Sequence, residues 1–140
     1  MRTRILDIAL NEIGVKEIVG KKHNPRVLQY FADIGHSWVK DDETAWCSAF
    51  ANYVHKQAGV ERSGKLNARS WLKIGQKTSY PQKGDIVVFW RESPSSWKGH
   101  VAFFIRESSK YIYVLGGNQG NEVKIARYPK NRLLAYIKCS

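Results

Sequence analysis

The texture of the chain changes at Pro81, and that change limits the fold more than any other feature. Before it, apolar residues recur at helical spacing. Ile5, Leu6, Ile8, Ala9 and Ile13 form one such stripe, with Thr3 as a cap and Gly14 as a stop. Val27, Leu28, Phe31 and Ile34 form another, opened by Pro25 and closed by Gly35. Ala45 to Ala58 reads as a buried helix, with Thr44 at its N-cap and Gly59 ending it. Asn67 to Leu72 predicts one more short helix. After Pro81 come β-rich runs at Asp85–Trp90, His100–Ile105, Tyr111–Leu115, Val123–Ala126 and Leu133–Ile137, separated by Ser-, Gly- and Asn-rich turns. These links are too short to hold crossover helices, so the strands should form an antiparallel sheet of about five. Helices first and strands after predicts an α+β domain with its N-terminal helices packed on the sheet. We expect one domain over 1–140, with a helical half at 1–80 and a sheet half at 81–140.

A length of 140 residues with 43% hydrophobic side chains is enough for one core. Lys and Arg outnumber Asp and Glu by 23 to 12, for a net charge of +11. Such a charge speaks of partners: nucleic acid, anionic lipid or the anionic polymers of a cell envelope. The basic residues are spread along the chain, and neither a phosphate-binding glycine loop nor an RNA-binding signature accompanies them, so nucleic acid is not expected. The start, MRTRILDIALNEIG, is amphipathic and too charged for a signal peptide, and no run approaches a membrane span. The expectation is synthesis in a cytosol, with any extracellular target reached by a separate route of export or lysis.

Two cysteines are too few for a disulfide scaffold, and the setting of Cys47 argues for a free thiol over a bridge to Cys139. With Thr44 as N-cap, Cys47 would be the third residue of its helix. There the helix dipole and unpaired N–H groups favour a thiolate and can hold an oxyanion. The plain alternative is a small core residue between Trp46 and Phe50. Gly99-His100, opening an apolar strand, tips the balance. A neutral imidazole at a sheet rim is the usual proton acceptor for a cysteine nucleophile. His55 stands eight residues along the helix of Cys47, about 12 Å away by helix rise, which is too far. Asn118, in Leu115-Gly-Gly-Asn-Gln119, is placed to orient the imidazole, with Gln119 as the alternative because one step of register exchanges them.

These residues resemble the NlpC/P60 and CHAP superfamily of papain-like peptidoglycan hydrolases and amidases. Trp46-Cys-Ser-Ala-Phe50 is similar to the nucleophile motif and Lys83-Gly-Asp-Ile-Val-Val-Phe89 to the strand that follows the helices. Gly99-His-Val-Ala-Phe103 is similar to the base motif and Leu115-Gly-Gly-Asn-Gln119 to the third-residue motif. The order and spacing match over about residues 40 to 137. The resemblance implies a papain-like core, a single catalytic domain, Cys47 and His100 as the dyad, and bacterial cell-wall peptide as substrate. Many CHAP members carry an acid two positions before the Asn, where this chain has Gly116. A compact cationic chain of this kind resembles a phage endolysin, which implies synthesis in a host cytoplasm and release to the wall with a holin. A secreted antibacterial amidase, passed by a secretion machine, is the alternative with the same chemistry, and a non-enzymatic cationic binding module, for envelope or nucleic acid, the alternative of another class.

The expected reaction is thiolate attack on an amide carbon, with either an endopeptidase or an N-acetylmuramoyl-L-alanine amidase outcome. Trp46, Asp42, Glu43 and Trp97 are candidate substrate contacts, and Asp85 a turn cap at its strand's start. Four scattered histidines without ligand spacing give no zinc site, and no metal or cofactor is expected. The expected partners are stem peptides and anionic wall polymers or lipid, met by a monomer.

Overall fold

The structure, a computed structural model, describes residues 2–16, 25–33, 46–96, 99–120 and 122–139. Three helices lead: α1 (Arg2–Leu10), α2 (Pro25–Asp33) and α3 (Cys47–Ala58), followed by a 3₁₀ turn at Ala68–Lys73. Six strands follow, namely β1 (Gln76–Thr78), β2 (Ile86–Trp90), β3 (Gly99–Glu107), β4 (Tyr111–Gln119), β5 (Glu122–Pro129) and β6 (Leu133–Lys138). They form one sheet in the order β1-β6-β2-β3-β4-β5, every neighbour antiparallel. The α+β architecture is the expected one, with six strands in place of about five. The extra strand, β1, is a short polar edge strand. It has no apolar alternation to announce it, and its pairing with β6 alone defines it.

α3 is buried along most of its circumference, as a helix clamped between other helices and a sheet must be. Gly59, at φ 72°, ends it in the left-handed conformation that glycine adopts without a Cβ penalty. Glu12, Arg26, Tyr30 and Tyr53 lock the three helices together. The Arg26 guanidinium donates to both carboxylate oxygens of Glu12, at 2.6 and 2.9 Å, and to the Tyr53 hydroxyl at 2.8 Å. The Tyr30 hydroxyl also donates to Glu12.

The sheet has two buried faces. Ile86, Val88, Val101, Phe103, Leu115 and Ile137 pack under the helices. Val87, Phe89, Ala102, Phe104, Ile112 and Val114 make a second cluster on the other face. Strand curvature closes that second cluster. β2 and β5 are three places apart, roughly 14 Å in a flat sheet, yet the rings of Phe89 and Tyr128 lie 4.9 Å apart between centroids. The sheet therefore curls into a partial barrel, and its concave side holds His100 beside Phe89 and Tyr128.

Candidate active site

Cys47 is the first residue of α3, because Trp46 holds the N-cap position in a non-helical conformation. The expected cap, Thr44, would have made it the third. Thr44 lies outside the described residues, as do Asp42, Glu43 and Trp97. Trp46 is a correction. It is wholly buried, its ring stacked beside Tyr30 at 6.2 Å and packed under Gly117, so it is a core residue and no groove wall.

The start of α3 is fastened by a buried polar network that the sequence did not announce. The Ser48 hydroxyl donates to the Lys65 carbonyl at 2.6 Å and accepts the Trp71 indole N–H at 3.0 Å. Asn52, one turn on, accepts the Gly64 N–H at 2.7 Å and donates to the Ser48 carbonyl. Each polar group has a partner, so the network orders the start of α3 against the following loop.

His100 lies on the concave face, buried between Phe89 and Tyr128, with ring centroids 6.5 and 5.1 Å away. It pairs with Phe89 across β2 and β3. On the other side, the β3–β4 ladder begins only at Phe103↔Leu115, among the described pairs. The start of α3 comes up to this opening in the ladder, where the Val101 amide acts to pull the Cys47 thiol down. The thiol thus meets the strand one residue from His100.

Gln119, and not Asn118, meets the His100 ring. Strict alternation along β4 would put Asn118 on the face of Ile112 and Val114, beside His100. A bulge intervenes: β4 pairs Gly116 with Lys124 but Gln119 with Glu122, leaving one extra residue on β4. Asn118 absorbs it at φ 58°. The following side chain is thereby turned onto the concave face, where Gln119 Oε1 accepts from His100 Nε2 at 2.9 Å. Its own amide donates to the Lys124 carbonyl at 2.6 Å, which settles the orientation of the amide. Gly116 explains why no acid stands there. A Cβ on it would fall 2.8 Å from the Ala102 Cβ and 2.9 Å from Gln119 Oε1. Gln119 fills the space that an acidic side chain at 116 would need.

Two further residues enter the site. Arg91, just beyond β2, brings Nη2 to 3.5 Å from His100 Nδ1. Tyr128 packs tilted against the imidazole and feels both Cys47 and Arg91, although burial is the main reason its hydroxyl is pushed up to about 12. The register Phe89↔His100 would have pointed to Arg91, had the strand pairing been known.

Burial decides the resting protonation. Desolvation raises the Cys47 thiol above its ordinary value, against the pull of the Val101 amide, the Arg91 charge and the amides of Ser48 and Cys47. Those helix-start amides act in the expected direction, but burial outweighs them. Desolvation also lowers His100 to about 4, opposed by the Gln119 hydrogen bond and assisted by Arg91. The resting pair is a neutral thiol and a neutral imidazole. His55 is a core residue, its Nδ1 bonded to the Glu61 carbonyl and its ring against Trp71 and Phe103. The Asp85 carboxylate accepts the Gln82 amide at 2.8 Å and closes the turn into β2. Both cysteines are free and buried.

The chain matches the profile of the CHAP domain over residues 39–118, more than half its length. It belongs to the CHAP family. No curated protein matches the chain. Hydrolysis of peptidoglycan is the general activity that this CHAP domain's membership supplies. The matched segment holds Cys47, His100, Arg91 and Asn118; Gln119 stands one residue past its end.

Proposed function

We propose that the CHAP domain is a cysteine hydrolase cutting amide bonds of peptidoglycan, with Cys47 as nucleophile, His100 as base and Gln119 as its positioning residue. The observation that carries this reading is the Gln119–His100 hydrogen bond. An amide oxygen held in place requires a proton on Nε2, which leaves the lone pair on Nδ1. The Cys47 thiol passes its proton to that nitrogen while sulfur attacks the carbonyl carbon. The oxyanion is met by amides at the start of α3. The C–N bond breaks and the leaving amine takes the Nδ1 proton. Nδ1 then takes a proton from water, whose oxygen attacks the thioester, and the thiol is restored as C–S breaks.

The reaction class covers both an endopeptidase and an N-acetylmuramoyl-L-alanine amidase, and mass spectrometry of the released muropeptides separates them. The charge of +11 supports action on an anionic envelope, which suits a phage endolysin. The deciding experiment is digestion of purified sacculi. Cys47→Ala and His100→Ala should each abolish it while circular dichroism stays native. Digestion by a folded Cys47→Ala protein would sink the assignment.

A further inference from the structure

Resting on that reading of the site, we propose that Arg91 recognises a substrate carboxylate beside the scissile amide, and that this pairing frees His100 Nδ1 to receive the thiol proton. Gln119 occupies Nε2, so the acceptor nitrogen is the one that Arg91 approaches to 3.5 Å. A guanidinium only donates and stays charged. Aimed at the Nδ1 lone pair, it competes for the electron pair that proton transfer needs. Arg91 is half-buried, and among the described residues no carboxylate forms an ion pair with it. Its charge acts on Cys47, His100 and Tyr128 alike. The site therefore holds an uncompensated cation beside its base, a poor arrangement for an imidazolium and a good one for an anionic ligand. A carboxylate meets the planar fork with two parallel hydrogen bonds, drawing the guanidinium off Nδ1 and cancelling its charge. Substrate would then switch on the base that it uses, and amides with no neighbouring carboxylate would be cut poorly.

The test uses Cys47→Ala protein, so that binding is read without turnover. Stem-peptide fragments are prepared in two forms, with the carboxyl beside the target amide either free or converted to a carboxamide. Calorimetry should show the free acid bound about 10- to 100-fold more tightly, the range of a charged hydrogen-bonded pair. Adding Arg91→Gln should remove that difference, and Arg91→Lys, which keeps the charge without the fork, should reduce it. By NMR, the free acid should also raise the pH at which His100 titrates, and the carboxamide should not. Equal affinity for the two forms, including no measurable binding of either, overturns the proposal, as does a preference that survives Arg91→Gln. A nucleophile other than Cys47 would show separately, as sacculus digestion by Cys47→Ala.

Discussion

Gln119 Oε1 accepts a hydrogen bond from His100 Nε2 at 2.9 Å, and the same amide donates to the Lys124 carbonyl at 2.6 Å. The two contacts work together, because the second prevents the amide from flipping and presenting its NH₂ to the ring. The imidazole tautomer is thus set from β4 and β5.

Gln119→Ala should lower kcat/KM on sacculi by about 10- to 100-fold, by releasing the tautomer and ring angle. Asn118→Gly should change it by less than about threefold, since glycine accepts the left-handed backbone at φ 58°. Rate measurements on the two variants side by side check this. A larger loss for Asn118→Gly would return the positioning role to Asn118.

The space at Gly116 predicts a coupled pair. Gly116→Glu alone should destabilise the domain by roughly 1–3 kcal/mol through overpacking against Ala102 and Gln119. Combining it with Gln119→Ala should recover the share of stability lost to the clash with Gln119 and restore part of the activity lost in Gln119→Ala. A double-mutant cycle in urea and in rate would show the coupling as a departure from additivity. Strict additivity would mean that the two side chains do not share the space.

Acid should unfold the domain through its buried histidines. His100 and His55 are both held at about 4, chiefly by burial, against 6.5 in the unfolded chain. Unfolding therefore takes up protons between pH 6.5 and 4. Stability should be flat between about pH 7 and 8 and fall as pH drops through that window, by at most about 2.7 kcal/mol per pH unit for two rings. Urea midpoints from pH 8 to 4 measure it. His55→Phe, if folded, should remove about half the slope.

Alkylation of Cys47 by iodoacetamide should be slow at pH 7 and rise only in alkaline buffer, because burial raises the thiol. Arg91→Gln should shift the profile to still higher pH, since Arg91 pulls the thiol down. Peptide mapping separates Cys47 from Cys139, which burial pushes up to about 12. Rapid labelling of Cys47 at pH 7 would contradict the neutral resting pair.

Asn52→Ala should cost about 2–4 kcal/mol, because the Gly64 N–H and the Ser48 and Lys65 carbonyls lose a buried partner. Thermal unfolding checks the loss. Activity measured well below the midpoint should also fall, since the same network seats the start of α3.

The sequence by itself determined the order of elements and the chemistry on offer. Apolar period and turn residues are local, so α1 to α3 and five of the six strands could be read from it. Cys47 and His100 could be read as well, because each sits at the start of an element, marked by its neighbours. Tertiary structure decided everything that depends on which strands meet and in what register. The β4 bulge turned Gln119 rather than Asn118 to the His100 ring, and alternation along a strand cannot reveal one extra residue. Packing of the helices on the sheet buried Trp46 and Cys47, curling of the sheet buried His100, and desolvation outweighs the helix-start amides at the thiol. The same register brought Arg91 to His100 Nδ1. Solvation and long-range pairing belong to the packed chain, and no local pattern of residues encodes them.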